Sequence, residues 1–330
     1  MLRFVGRRLL YMVPTLLVIS VISFAIIQAP PGDFLTSYVA RLQDQGEFVD
    51  RGRLAALEAR YGLGEPIYVQ YWKWISGILF HLDFGWSFEW NLPVRTLLAR
   101  TLPFTVILSL LTIVFIWVVS FAIGLYSAVR QYSVGDYVAT TLGFLGLAVP
   151  NFLLALLLMW ISFRYFDQSV GGLFSPEYRE AAWSLGRVWD LLKHLWIPIV
   201  VIGTAGTASL IRILRANLLD ELRKPYVVAA RARGVRERRL LIRYPVRVAM
   251  NPLFSTVGWI LPSLISADVI VSTVLSLQTT GQLLLNALLS QDMFLAGSII
   301  LLGAMLTVIG TLLSDLALAW LDPRVRLQYR

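Results

Sequence analysis

Six long apolar runs divide this chain. Leu9 to Ala29 carries no charge and stops at Pro30-Pro31, and Thr101 to Val129 and Tyr137 to Phe163 are likewise uncharged. Leu195 to Ile211 is shorter and contains Pro198, Gly203 and Gly206. Val248 to Ala267 leads through a lone Asp268 into more apolar sequence ending near Leu277, and Met293 to Ser314 closes the series, with Asp315 next. A hydrocarbon core about 30 Å thick takes roughly 20 apolar residues in a helix. The pattern therefore predicts an all-α membrane protein with six transmembrane helices.

Arginine placement orients these spans. Arg3, Arg7 and Arg8 precede the first, and Arg130 follows the second. The stretch from Arg215 to Arg247 holds eight further Arg and Lys residues between its ends against Asp220, Glu221 and Glu237, and Arg324, Arg326 and Arg330 follow the sixth span. Six crossings put all four regions on one side, so both termini are expected in the cytoplasm. Pro31 to Arg100 and Arg164 to Lys193, on the opposite side, carry mixed charge. A cleaved signal peptide is the alternative for the first span. Its apolar core is longer than a signal segment, and no convincing small-x-small site precedes the prolines, so an uncleaved anchor is expected.

Composition agrees with the spans. Of 330 residues, 57% are hydrophobic and only 15% charged, against about a quarter charged in soluble domains, and the mean hydropathy is +0.69. The absence of cysteine excludes disulfides and thiolate metal sites, and His81 and His194 are too few and too far apart for a metal cluster. The net charge of +9 is concentrated in the loops on one side, which points to membrane topology rather than to nucleic acid.

Within the loop after Ile211, Pro225 to Gly234 reads as a short helix with defined ends. Proline suits a first helical position and glycine the residue beyond the last. Ala229, Ala230 and Ala232 favour helix and leave room for another surface to approach. Such a helix, held between two spans, suits docking in a groove of a soluble partner; the plainer reading is a solvated basic loop against anionic lipid. A second basic stretch, Arg236 to Arg247, leads back to the membrane at Asn251-Pro252.

Tyr226 to Leu253 resembles the cytoplasmic loop of the permease subunits of oligopeptide, dipeptide and nickel ABC importers, Y-V-x-T-A-R-A-K-G-L-x-E-R-x-V-L-x-R-H-A-L-R-N-A-L-x-P. The resemblance covers nearly the whole chain. Pro31-Gly32-Asp33 stands near the family's G-D-P, and Leu54 to Tyr71 is similar to its L-x-x-x-x-G-L-x-x-P-x-x-x-Q-Y segment. Asp83 to Ser87 is similar to D-L-G-x-S, Pro93-Val94 to P-V, and Leu321 to Arg326 to the terminal L-D-P-R-x-R. The resemblance implies the type I ABC importer permease architecture, with residues 1–30 as tail and first helix and 31–100 as a periplasmic lid. Residues 101–321 form a five-helix core with the coupling loop at 215–250, and 322–330 a cytoplasmic tail. It also implies that Tyr226, Ala229, Ala230, Arg231, Arg233 and Gly234 form the coupling helix, with Val228 where the wider class has glutamate. The implied partners are a second homologous permease subunit, two cytoplasmic ATPase subunits carrying ATP and Mg, an extracytoplasmic solute-binding protein and the lipid bilayer.

The chain has no G-x-x-x-x-G-K-[ST] loop, and none of Lys73, Lys193 and Lys224 follows glycine, so it is expected to bind no cofactor and catalyse no reaction itself. Asp268, with Ser263, Ser266, Ser272 and Thr273, reads as a polar face that lines a translocation path or bonds a neighbouring helix. Asn151 after Pro150 is a milder candidate, with packing as the simpler use, and Gln278 stands in a turn where the family has P-G-L-G. Asp315 reads as structural, within reach of Arg324 or Arg326. Trp72, Trp74, Trp86 and Trp90 read as interface anchors. The departures at Ser272 and Gln278 leave peptide, oligosaccharide or another small solute open as cargo. A gradient-driven secondary transporter is the rival, with Pro198 to Gly206 as its broken-helix candidate; a structural or signalling membrane protein would not need the loop pattern.

Overall fold

The computed structural model describes residues 2–28, 52, 65–87, 89–168 and 171–321. Pro31-Gly32-Asp33, most of the Leu54 to Tyr71 motif, the tail after Leu321, and Arg324 and Arg326 lie outside the described residues. The helices in chain order are α1 (Leu2–Gln28), α2 (Ile67–His81), α3 (Val94–Val129), α4 (Val134–Ala148), α5 (Asn151–Phe166), α6 (Leu185–Leu222) and α7 (Pro225–Ala232). There follow α8 (Glu237–Arg243), α9 (Pro245–Ala249), α10 (Asn251–Ser255), α11 (Val257–Val274), α12 (Thr280–Leu289) and α13 (Met293–Leu321). A two-stranded antiparallel hairpin, β1 (Trp86–Ser87) and β2 (Leu92–Pro93), precedes α3.

Among the described residues four helices are long and apolar enough to cross a membrane, within α1, α3, α6 and α13. Two bent pairs bring the total to six when each is one crossing. The expected third span is not one straight helix: α4 and α5 meet at 109°. Pro150 has no N–H to donate and forces the preceding residue out of the helical region, and Val149 is accordingly extended at φ −80°, ψ 123°. The fifth span bends by 55° between the α8–α10 segment and α11.

The fourth span differs most from its hydropathy. Pro198 and the two glycines do not break it, and α6 runs 38 residues, about 57 Å at 1.5 Å per residue. Gly203 and Gly206 instead let α3 come close. A Cβ at Gly203 would lie 2.6 Å from Phe115 Cδ1, and one at Gly206 2.9 Å from Ile116 Cδ1. Small residues at helix crossings are the usual means of close packing in lipid.

The chain divides into two compact units. In the first, spanning residues 1–5, 106–278 and 307–330, α6 is the central element, packing against α4, α5, α9 and α11. Its Ile197, Val201, Leu210 and Leu218 are fully buried. The Asp136 carboxylate in the first turn of α4 accepts bonds from Arg215 of α6, at 3.1 Å from Nε and 2.8 Å from Nη2, and from Tyr132 N at 2.9 Å.

The second unit, residues 6–105 and 279–306, is built on Phe24, Trp74, Ile78, Val94, Leu97, Leu283 and Phe294. Trp74, expected as an interface anchor, is a core residue at 4% exposure, its ring stacked on Phe24 at 5.5 Å. Trp72 is 65% exposed and Trp90 46%. Asp292 caps α13: its carboxylate accepts from Leu295 N at 3.2 Å, and from Ser87 Oγ of the hairpin at 2.6 Å.

Candidate functional site

Helix α7 is set off by stops at both ends. Lys224 before it is extended (φ −65°, ψ 144°), and Pro225 occupies the first turn, where its missing N–H costs nothing. At the other end Gly234 takes φ +76°, which L-residues with a Cβ adopt only at a cost. Val235 N donates to Ala230 O at 3.3 Å and Gly234 N to Arg231 O at 3.0 Å. This pair of bonds is the Schellman closure, and it satisfies carbonyls the helix end leaves open.

One residue roots the helix. Val227 is fully buried, whereas Tyr226, Val228, Ala229, Arg231, Ala232, Arg233 and Gly234 are exposed and Ala230 is half-buried. The helix packs on α6 and α8, leaving most of its surface open. Tyr226 Oη donates to Glu221 Oε1 at 2.6 Å, and its ring lies 6.4 Å from that of Tyr244. Although Tyr226 is 41% exposed, burial of its hydroxyl and then the Glu221 carboxylate push the phenol pKa well above its ordinary value. Arg231 pairs with Glu237 across the Gly234 turn, tying α7 to α8. Beside that turn lies an open cleft of about 1030 Å³ lined by Val235, Arg236, Arg238, Arg239, Ile242, Arg243 and Tyr244.

The residues expected along a path are not all on one face. Asp268 and Ser272, one turn apart on α11, are buried, with Ser272 Oγ donating to Val269 O at 3.4 Å. Ser263, Ser266 and Thr273 lie on the exposed side of the same helix, so the single polar face expected from sequence is two faces. Asn151 is half-buried at the start of α5, directly after the bend. Gln278 is exposed and lines a pocket of about 110 Å³ with Gly172, Phe174, Arg179 and Ser276. Gly172 N, in its lining, donates to Leu275 O at 2.8 Å.

Three polar clusters had no counterpart in the sequence reading. Besides the Asp136–Arg215 pair and the Asp292 cap, Asp190 accepts from Ser175 N at 2.8 Å and Ser175 Oγ at 2.7 Å. Arg187 is held between the rings of Phe174 (4.7 Å) and Trp183 (4.6 Å). Together they brace the segment before α6. The available signals were Asp292 ahead of an apolar run and Ser184 three residues ahead of Arg187, both helix starts. The Asp136–Arg215 pairing, 79 residues apart, left none. Among the described residues no three His, Asp or Glu side chains gather as a metal cluster.

Known proteins with similar sequences cover the chain from end to end. Residues 120–327 match the family described as binding-protein-dependent transport system inner membrane component, and residues 1–111 match its N-terminal companion. The oligopeptide transport system permease protein AppB of Bacillus subtilis is 32% identical over 98% of this chain and 99% of its own length. The oligopeptide transport system permease protein OppB of Salmonella typhimurium is 29% identical over 99% of this chain and its own full length, as is that of Escherichia coli K12. With the helical spans and both regions matched, the chain belongs to the family of binding-protein-dependent transport system inner membrane components.

Proposed function

We propose that this permease subunit forms half of a peptide passage in an ATP-driven importer, and that α7 is the helix through which ATPase subunits drive it. The peptide cargo follows the names of AppB and OppB. The observation that carries the docking role is α7 itself, a two-turn rod stopped by Pro225 and Gly234, rooted at Val227 and open over the rest of its surface. In this reading ATP and Mg reside on two ATPase subunits, a second permease completes the passage, and a solute-binding protein delivers cargo on the far side. An even number of crossings and the arginine distribution support a cytoplasmic side for both termini and for α7. ATP-driven closure of the ATPases then moves α7 and α6, shifting the spans between inward-open and outward-open populations. Asp268, Ser272, Asn151 and Gln278 are assigned to the passage.

The test is uptake in proteoliposomes containing the full importer with Ala230→Trp in this chain. ATP-dependent peptide uptake is expected to vanish while membrane insertion and permease pairing persist. Full uptake by that variant, or cargo crossing at the normal rate without ATPases, would overturn the reading.

A further inference from the structure

The cleft beside α7 carries more positive charge than its surroundings answer. Arg236, Arg238, Arg239 and Arg243 line it and are exposed. Among the described residues none of the four has an ion pair or a side-chain hydrogen bond, and Glu237, the acid within this stretch, is engaged by Arg231. Four unanswered guanidinium groups on one short segment make a strong anion site, and the planar fork of arginine matches a phosphate's oxygens.

The rest of the cleft is apolar. Ile242, in its wall, is 61% exposed, and Tyr244 beside it is 37% exposed. Val248, on the adjoining α9, is 45% exposed, and the chain passes from there into the apolar α11. A soluble anion has no use for exposed Ile242 and Val248. An amphiphile with a phosphate head and acyl chains uses both halves. Tyrosine at the join of polar and apolar surface is the usual marker of the membrane–water boundary, and arginines set there attract anionic headgroups.

We propose that the cleft between the Gly234 turn and Tyr244 binds the phosphate headgroup of an anionic phospholipid, with Arg238, Arg239 and Arg243 holding the phosphate and Ile242 and Val248 meeting the acyl chains. Such a lipid sits directly against the turn that ends α7, so the bilayer composition reaches the helix on which drive depends.

The experiment is native mass spectrometry of the full chain with its partner permease, eluted from nanodiscs of phosphatidylglycerol and phosphatidylcholine in equal parts. Wild-type protein is expected to retain phosphatidylglycerol. The variant Arg238→Gln/Arg239→Gln/Arg243→Gln is expected to bind it on the order of a hundredfold more weakly. The same three positions changed to lysine keep the charge but lose the fork, so binding should fall by less than in the glutamine variant, which separates lost charge from lost fold. Arg7→Gln/Arg8→Gln, which removes charge elsewhere, should leave it intact. Equal weakening by that control would reduce the effect to general surface charge and overturn the site. Competition by inorganic phosphate at equal concentration would show a free-anion site instead. If the triple glutamine variant kept its phosphatidylglycerol but no longer bound ATPase subunits added to the same nanodiscs, the arginines would face a protein, and the proposal would fail.

Discussion

Gly234 offers the sharpest test of why α7 ends where it does. A Cβ built on this residue meets nothing within 4 Å, so substitution introduces no clash, and the whole penalty lies in the backbone. Holding φ at +76° costs an L-residue roughly 1–2 kcal/mol. Alanine should sit at the low end, valine beyond it because its branched Cβ crowds the turn, and asparagine below both because its short side chain tolerates this region. A cost of one or two kcal/mol shifts a local equilibrium about 5–30-fold. The competing state lacks the Val235–Ala230 and Gly234–Arg231 bonds, and unwinds the end of α7 that carries Arg231. Hydrogen exchange at Arg233 to Val235 reads that opening directly, and ATP-dependent peptide uptake reads its consequence. The expected order of uptake is Gly234, then Gly234→Asn, Gly234→Ala and Gly234→Val. If valine matched glycine, the turn would be irrelevant to drive. If asparagine were as poor as valine, side-chain bulk at an interface would replace backbone conformation as the cause.

Three further outcomes follow from the same geometry. Asp136→Ala removes the acceptor of two Arg215 bonds and strands a guanidinium that is 27% exposed. It should lower stability in detergent-titrated unfolding by about 2–3 kcal/mol, under the range for fully buried pairs, and a change within 0.5 kcal/mol would show the pair to be idle. Gly203→Leu must displace Phe115, 2.6 Å from the new Cβ, and should cost about 1–3 kcal/mol in the same assay; an unaltered midpoint would mean that α3 and α6 do not pack here. The phenol of Tyr226 is raised in the folded chain, so its bond to Glu221 is fully present below the ordinary tyrosine range near pH 10 and is lost only as pH rises further. The uptake of Tyr226→Phe relative to wild type should therefore hold steady between about pH 6 and 9, and a ratio that varies in that window would contradict the assignment.

What could be read from the sequence was what is encoded locally. Pro225 and Gly234 mark the ends of α7 because each restricts or frees its own backbone, whatever surrounds it. The apolar runs of α1, α3 and α13 announce themselves by hydropathy alone. The extent of α6 did not, since its outer turns carry Arg187, Asp190, Asp220 and Glu221, and an apolar-run reading stops at the first charge. Pro150 marks a break in the sequence, yet a proline is compatible with a kink or a sharp turn, and neighbouring helices decide which. Trp74 follows its packing partner Phe24 rather than its average preference for an interface. The two faces of α11 were recoverable in principle, because positions 263, 266 and 273 recur at helical spacing while 268 falls opposite. Pairings such as Asp136 with Arg215 and Ser87 with Asp292 join distant segments, and only the folded chain reveals them.

An unbroken rod the length of α6 gives the chain a strict reading frame in space. Each residue of a helix turns the next by about 100° and advances it about 1.5 Å. Deleting a single residue between the brace at Asp190 and the pair at Arg215 would therefore swing α7 a quarter-turn or more about the axis, with no loop in between to absorb the error. Insertions belong in the connections at either end, and inside the rod only a length change near whole turns would leave α7 facing its original way.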